Sequence, residues 1–171
     1  MFIKRLAMTP TVTRIKNCTL ILAILLLNSC ARIGSHQAIH ESYPKAQAEL
    51  RKVIESIGQD AMAADIDALQ AAHLDSDKFT KFGPRSFQRQ NFEQTNKSEA
   101  AFFSSIKNLK YEAKDLKIDV FGDIGIATYY PHVSFVKDGQ TMTGSGRQTL
   151  VFLKTKDGWK IVHEHGSTKQ E

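Results

Sequence analysis

Two histidines near the carboxyl end of the chain have a type and spacing that could support chemistry. His163 and His165 are separated by one residue, and Arg147 and Thr149 have the same spacing in the segment before them. Side chains two positions apart on a β-strand project from the same face of the sheet. Imidazole can transfer a proton near neutral pH, and a guanidinium can hold a carboxylate through two hydrogen bonds. These residues therefore predict a polar site for proton transfer or anion binding.

Two other interpretations of the same residues stay open. A polar network that fixes a sheet edge or a subunit contact would use them without any catalysis. His163 and His165 could also share a metal ion, but the spacing supplies no third ligand, and the sequence predicts no metal site. It also predicts no cofactor, because no helix follows Gly144 and Gly146 as a phosphate-binding loop requires. The two histidines are the candidate catalytic bases.

The segment that positions these residues predicts three consecutive antiparallel strands. Asp-Gly pairs at 138–139 and 157–158 separate runs that are rich in β-branched and aromatic residues. This is a strong hairpin signal, because glycine supplies the positive φ that a tight turn needs. The strands are expected at about residues 124–136, 141–155 and 159–167. Strands of this length must curl, and we expect a bulge or bend at Gly144 and Gly146.

The register of the last hairpin decides which side chains meet. A two-residue loop at residues 157–158 would place Leu150 beside His165. A three-residue loop with a bulge would place Thr149 there instead. We favour the bulged register, because it gathers four apolar side chains into one patch: Val151, Leu153, Trp159 and Ile161. The polar end of the same face then consists of Arg147, Thr149, His163, His165 and Ser167.

The upstream part of the chain predicts three helices and two further strands. The expected helices lie at about residues 44–64, 66–73 and 97–106, and the expected strands at about residues 79–82 and 116–120. The first helix has apolar residues at three- and four-residue spacing, Asp65 can cap the second, and Asn96 with Glu99 resembles a capping box for the third. This order of elements predicts an α+β fold, a cone-shaped curved antiparallel sheet wrapped on three helices.

The carboxyl-terminal motif also carries a family resemblance. Gly-Arg147-x-Thr149 followed by Gly-Trp159-x-Ile-Val-His163-x-His165-x-Ser resembles the nuclear transport factor 2-like superfamily, with its cystatin-like α+β fold. The nearest branches are the SnoaL-like members and the association domain of calcium/calmodulin-dependent protein kinase. The resemblance covers about residues 45–168. It implies a pocket inside the cone for a small apolar ligand, and a homodimer through the outer face of the sheet. Since this superfamily includes both enzymes and non-enzymes, it does not fix the function.

Two adjacent tyrosines in the preceding strand add one candidate to the site. Tyr129 and Tyr130 face opposite sides of their strand, so one of them is expected to point into the cone. Tyr130 joins Arg147 and Thr149 as a candidate ligand-binding residue. The pocket arginines of the kinase association domain correspond to Tyr130, Leu150 and Gly166 here, so anion binding of that kind is not implied.

The amino-terminal segment predicts a bacterial lipoprotein signal peptide. Four basic and no acidic residues precede an apolar core at residues 20–27, which is too short to span a bilayer. Leu27-Asn28-Ser29-Cys30 resembles the lipobox, whose cysteine is lipidated after cleavage. The predicted parts are therefore a signal peptide over 1–29, a lipidated cysteine with a tether over 30–43, and a SnoaL-like domain over 44–168. An ordinary signal peptide or an uncleaved anchor is the alternative.

This processing changes the charge of the protein and its possible partners. The full chain has a net charge of +5, but removal of four bases leaves 19 basic residues against 18 acidic ones, a net charge of +1. We therefore expect no nucleic-acid partner. The lipid membrane is the expected partner through Cys30, and Ala31 after it indicates the outer membrane, facing the periplasm. Since Cys18 lies in the signal peptide, the mature chain cannot form an internal disulfide.

These observations leave two hypotheses for function. The first is a lipid-anchored module of the cell envelope that binds a small molecule or assists another protein without catalysis. The second is a small acid–base enzyme, isomerase- or cyclase-like, that acts on an apolar ligand in the cone. In that case His165 or His163 would be the base, and Arg147 would hold an anion.

Overall fold

The architecture is a five-stranded curved sheet with helices on its concave side. The computed structural model describes residues 38–84 and 86–169. Within them lie α1 (Pro44–Ala63), α2 (Ile66–Ala72), β1 (Thr80–Phe82), α3 (Phe92–Ser104), β2 (Lys107–Phe121), β3 (Ile124–Lys137), β4 (Gln140–Thr155) and β5 (Gly158–Thr168). The strand order is β1-β5-β4-β3-β2, with β1 parallel to β5 and all other neighbours antiparallel. The predicted α+β fold is confirmed.

Helix α1 forms where apolar residues recur on one face and packs that face on the sheet. Pro44 begins the helix, and Leu50 and Ile54 are buried in the core. Leu50 lies so close to β3 that a Cβ on Gly125 would be 2.3 Å from its Cδ1 atom. In the described part of the chain, no helix combines the length and apolarity that crossing a bilayer requires.

The core lies between this helix and the concave face of the sheet. Its buried members come from α1, from the residue before β1 and from the four long strands: Leu50, Ile54, Phe79, Ile118, Val120, Ala127, Tyr129, Leu150, Phe152, Trp159 and Ile161. Trp159 is 6% exposed. A five-stranded sheet that buries one face in this way provides a rigid wall on which side chains can be positioned.

A bulge in β5 changes which side chains face the core. Phe152 pairs with Ile161 but Val151 pairs with His163, so Val162 has no partner of its own in β4. An extra residue in one strand reverses the alternation beyond it. Trp159 and Ile161 therefore face the core together with Glu164. The prediction that the two histidines share a face with Trp159 is wrong for this reason.

The last hairpin begins in a register that neither prediction gave. Its two-residue loop is Lys156-Asp157, since Thr155 pairs with Gly158. The extra residue at Val162 then shifts the pairing by one, so Thr149 lies opposite His165 as the favoured register predicted. Leu153 and Val151 consequently lie on the outer face, away from Trp159.

The structure has no bulge at Gly144 or Gly146, which was one of the two irregularities expected there. The pairing of β3 with β4 runs without a shift from Tyr129 to Lys137. Gly146 has a different role, because a Cβ there would be 1.9 Å from the carbonyl oxygen of Ser167. Glycine at this position allows the backbones of β4 and β5 to approach closely.

Helix α3 begins earlier than predicted. Its N-cap is Asn91, whose side chain accepts from the Gln94 amide while the Gln94 side chain accepts from the Asn91 amide. The capping box is therefore formed by Asn91 and Gln94, and not by the Asn96–Glu99 pair that the sequence predicts. Asn96 and Glu99 lie inside the helix instead, and both point toward the concave side of the sheet.

Candidate functional site: an ionic cluster inside the cone

Four ionisable side chains meet on the concave side of the sheet. We call them the ionic cluster: His73, Lys81, Glu99 and Glu164. His73 ends α2, Lys81 lies in β1, Glu99 lies in α3 and Glu164 lies in β5 just after the bulge. The parallel pairing of β1 with β5 places Lys81 directly beside Glu164. Four separate elements are thus needed to assemble the cluster.

Lys81 is the centre of the cluster. Its Nζ atom lies 2.6 Å from Oε1 of Glu99 and 2.9 Å from Oε1 of Glu164. The side chains of these three residues are 10%, 18% and 14% exposed, respectively. Water is thus largely excluded, and ion pairs in such surroundings are much stronger than pairs on the surface. The ammonium group holds two carboxylates from opposite sides of the cone.

The remaining contacts of the cluster fix its geometry. Nε2 of His73 lies 3.6 Å from Oε2 of Glu164, and its Nδ1 lies 3.3 Å from Oδ1 of Asn96. Gln148 on β4 donates a hydrogen bond of 2.9 Å from Nε2 to Oε1 of Glu164. Glu164 is therefore surrounded by an ammonium, an imidazole and an amide, which satisfies a buried carboxylate.

The charges in the cluster reinforce one another. Burial alone would lower the pKa of Lys81, but the carboxylates of Glu164 and Glu99 outweigh it and raise that pKa above its ordinary value. Burial alone would raise the pKa of Glu164, but Lys81 and His73 lower it below its ordinary value. Both groups consequently keep their charges throughout the neutral pH range.

Two tyrosines extend the polar lining of the cone. The hydroxyl of Tyr111 on β2 donates a 2.8 Å hydrogen bond to the hydroxyl of Tyr129 on β3. Burial raises the pKa of Tyr111 to about 12. Burial and the adjacent Tyr111 also raise the pKa of Tyr129 well above its ordinary value. Both phenols stay neutral and can donate hydrogen bonds.

Three members of the cluster have the spacing of metal ligands. One donor atom each from His73, Glu99 and Glu164 lie within 4.8 Å of one another. Lys81 already supplies a positive charge within hydrogen-bonding distance of both carboxylates. The cluster therefore favours an internal cation over a bound metal ion.

A separate groove opens on the surface at the start of α1. It is an open depression with a volume of about 420 Å³. Its main lining residues are Tyr43, Pro44, Glu49, Asp123, Lys154 and Trp159. The indole Nε1 of Trp159 donates a 3.2 Å hydrogen bond to Oε2 of Glu49, and Nζ of Lys154 lies 5.1 Å from the centre of the indole ring. Hydrogen bonds from Lys154 and Trp159 lower the pKa of Glu49. We call this surface the Trp159 groove.

The comparison with known families identifies the relatives of this domain. The SnoaL-like domain family matches residues 50–170, which is more than half of the chain. The chain belongs to the SnoaL-like domain family. No curated protein matches its sequence. The predicted resemblance to the SnoaL-like branch of the nuclear transport factor 2-like superfamily is confirmed.

Solved structures show the same fold as this SnoaL-like domain. A nuclear transport factor 2-like superfamily protein from Salmonella enterica is 20% identical with a TM-score of 0.69, over 76% of this chain and 95% of that one. A ketosteroid isomerase-like protein from Erwinia carotovora is 14% identical with a TM-score of 0.63, over 75% and 100%. An NTF2-like protein with a cystatin-like fold from Novosphingobium aromaticivorans is 15% identical with a TM-score of 0.59, over 91% and 92%. At these identities the similarity establishes the fold alone.

The histidines that the sequence singled out lie on the outer face of the SnoaL-like domain. Nδ1 of His163 lies 2.8 Å from the Thr80 hydroxyl on the neighbouring strand β1. His165 is exposed, and its ring centre lies 5.9 Å from that of Phe82. These two imidazoles are therefore directed away from the concave side on which Glu164 lies.

The other predicted ligand-binding residues accompany the histidines. Thr149 pairs with His165, and Arg147 pairs with Ser167, as the favoured register predicted. Arg147 is exposed, and Tyr130 is 48% exposed. The structure thus brings Arg147, Thr149 and His165 together, but on the outer face. The tyrosine that points into the cone is Tyr129.

Sequence reasoning missed the ionic cluster of the SnoaL-like domain. Lys81 interrupts the short run between Phe79 and Phe82, and a lysine between aromatic residues is a signal that could have indicated a buried partner. Simple alternation along the strand puts Glu164 on the opposite face from Trp159, because the bulge at Val162 leaves no mark in the sequence. Lys81 and Glu164 are far apart in the chain, so only the pairing of β1 with β5 reveals their contact.

Proposed function

We propose that this protein is a lipid-anchored component of the bacterial cell envelope whose SnoaL-like domain binds a small molecule, or assists a partner, without catalysis. The observation that carries this proposal is the internal neutralisation of the ionic cluster. Lys81 lies within 2.9 Å of both Glu99 and Glu164, so each acid of the pair already has a cation as its partner.

This pairing argues against proton transfer by these groups. A general acid or base works best when its pKa is near the working pH. Here the pKa of Lys81 is raised and the pKa of Glu164 is lowered, so each moves away from neutrality. Burial raises the pKa of both Tyr111 and Tyr129, so these phenols stay neutral and do not act as bases near neutral pH. The cone therefore fits a structural or binding role better than a catalytic one.

The Trp159 groove is the surface that we assign to a small apolar ligand. Its volume of about 420 Å³ lies within the roughly 300–1,000 Å³ range of small-molecule sites. Tyr43, Pro44 and Trp159 provide apolar area, while Glu49 and Lys154 are polar groups that could orient a ligand. Apolar walls with a few polar groups are the usual composition of small-molecule sites.

Binding at the groove can be followed through the single tryptophan of the chain. We expect apolar aromatic probes such as naphthalene derivatives to change the fluorescence of Trp159 in a saturable way. Tyr43→Ala should weaken this binding, because it removes an aromatic wall of the groove. Met142→Ala, at an exposed site elsewhere, is the matched control. An equal response of all three proteins to the probes would contradict the assignment.

The proposed lipid attachment site lies outside the described residues. Cys30, the signal peptide over 1–29 and the tether up to residue 37 belong to the sequence alone. Their support is the basic stretch, the apolar core at residues 20–27 and the lipobox-like Leu27-Asn28-Ser29-Cys30. On this support we propose that the SnoaL-like domain is held in the cell envelope, at the outer membrane and facing the periplasm.

Replacement of Cys30 tests the anchor. We expect Cys30→Ala to abolish incorporation of labelled palmitate and to release the protein from the membrane fraction, because the thiol is the acceptor of the lipid. Cys18→Ala is the matched control, since Cys18 lies in the segment that would be removed. Undiminished palmitate labelling of Cys30→Ala would contradict the lipoprotein proposal.

We also propose that two copies associate through the outer face of the sheet. Apolar side chains lie next to one another there, since Ile124 pairs with Leu153 and Ile126 pairs with Val151. Ile124 is exposed, and so is Tyr130 further along β3. An apolar surface that faces water favours a self-complementary contact between two copies.

Sedimentation tests this association. We expect the Cys30→Ala chain without residues 1–29 to sediment as a dimer at micromolar concentration. Ile126→Glu should shift it to a monomer, because the new charge would be buried at the contact. Lys137→Glu, at the end of the same strand, is the control. A well-folded monomer in the absence of Ile126→Glu would refute the dimer.

A small acid–base enzyme remains the second candidate function. The observation that favours it is the 3.6 Å approach of Nε2 of His73 to Glu164, a carboxylate–imidazole contact inside the cone. One structural neighbour is described as ketosteroid isomerase-like. Isomerisation of a steroid ketone that is lost in His73→Gln, with the fold retained, would favour the enzyme over the binding module.

A further inference from the structure

Helix α3 presents an unusually polar side to the interior. Its two buried residues are Thr95 and Asn96, and its third inward residue is Glu99. The fully buried hydroxyl of Thr95 has no hydrogen-bond partner among the residues that the structure describes. Aromatic ring contacts lie near the ends of the helix, where Phe92 meets Phe79 and Phe102 meets Phe135. In the middle of α3, Asn96 contacts His73 and Glu99 contacts Lys81.

Glu99 is the residue that makes the main polar contact. Its Oε1 atom accepts a 2.6 Å hydrogen bond from Lys81, the shortest contact in the ionic cluster, and lies 4.0 Å from Nε2 of His73. Glu164 approaches the same lysine from β5. Lys81 thus faces two carboxylates, and the one from β5 is sufficient to neutralise it.

Removal of Glu99 would leave a site with the chemistry of an anion receptor. One N–H of Lys81 would lose its acceptor, and His73 would still present Nε2 to the same space. The charge of the remaining Lys81–Glu164 pair would be zero, so an incoming monoanion would replace Glu99 without adding charge to the cluster. A charge-assisted hydrogen bond from a buried ammonium is among the stronger contacts available to a carboxylate.

We infer that the position of the Glu99 carboxylate is a carboxylate-binding subsite, which Glu99 occupies until the carboxylate of a small-molecule ligand replaces it. The inference goes beyond the proposed function, because the Trp159 groove is a different surface lined by different residues. The ligand is a monocarboxylate, recognised by Lys81 and His73. Its binding displaces the middle of α3.

Chemical rescue tests this subsite. Glu99→Ala in the full chain should melt at a lower temperature, and sodium acetate should raise its melting temperature by several degrees in a saturable manner. Acetamide and sodium chloride at equal concentrations should not, since neither supplies a carboxylate. Glu99→Gln fills the space and should show no rescue. Glu112→Ala, which removes an exposed carboxylate that pairs with Lys114, should also show none.

Two further measurements complete the test, one for a variant that does not fold and one for the native chain. If Glu99→Ala does not fold alone, its refolding by acetate supports the subsite, and the absence of rescue in both Glu99→Ala and Glu99→Ser overturns it. The native chain should bind benzoate in calorimetry at least about tenfold more weakly than Glu99→Ala, because Glu99 competes for the site. Benzoate binding to the variant but not to the native chain would show an engineered cavity only, and would overturn the inference. The fluorescence titration of the Trp159 groove tests the proposed function separately, because that groove is lined by other residues.

Discussion

A Lys81→Met variant should lose about 3–5 kcal/mol of its free energy of unfolding. Methionine keeps the length of the side chain but removes the ammonium that Glu99 and Glu164 share. The two carboxylates would then face each other in a largely dry site without a cation between them. Urea denaturation followed by circular dichroism measures the loss.

Two controls separate charge from packing. Lys117→Met alters a lysine that is 70% exposed and pairs with Asp119 on the same strand, so it should change stability by no more than about 1 kcal/mol. Adding Glu164→Gln to Lys81→Met removes one of the stranded charges and should recover at least about 1 kcal/mol. A Lys81→Met protein as stable as the native one would show that the ionic cluster is not a source of stability.

A Trp159→Ala variant should lose a similar amount, about 3–5 kcal/mol. Trp159 is 6% exposed and belongs to the core, so truncation leaves a cavity that the rigid sheet cannot fill. The hydrogen bond from its indole to Glu49 is lost as well. The same urea denaturation experiment, read by circular dichroism because the fluorophore is gone, gives the value.

Trp159→Phe provides the comparison for this prediction. Phenylalanine keeps an aromatic ring in the core but cannot donate to Glu49, so its loss should be well below that of alanine. A loss below about 1 kcal/mol for Trp159→Ala would place the side chain on the surface, contrary to the strand phase found here.

The sequence predicts the fold well because its turns and periodicities are local signals. Asp138-Gly139 has both residues at positive φ and joins β3 to β4, as a tight hairpin requires. The apolar spacing of α1 and the cap at Asp65 also lie within a few residues of the elements that they determine. Such features can be read without knowing what lies opposite them.

The ionic cluster could not be predicted in the same way. Its four residues come from α2, β1, α3 and β5, and they meet only after β1 has paired in parallel with β5. The sequence predicts too late a start for α3, because Asn96 and Glu99 have the spacing of a capping box, while Asn91 and Gln94 form the box that the structure contains. Once α3 starts at Phe92, Asn96 and Glu99 become interior residues that contact His73 and Lys81.

The single extra residue at Val162 also has a consequence for comparing this protein with its relatives. A relative without that residue would present the opposite side chains of its last strand to the interior. An ungapped alignment through the Trp-x-Ile-Val-His motif would then equate an interior position of one protein with a surface position of the other. Homologous sites in this strand should be matched by superposing backbones, with a one-residue gap at Val162, before any role is transferred from one protein to another.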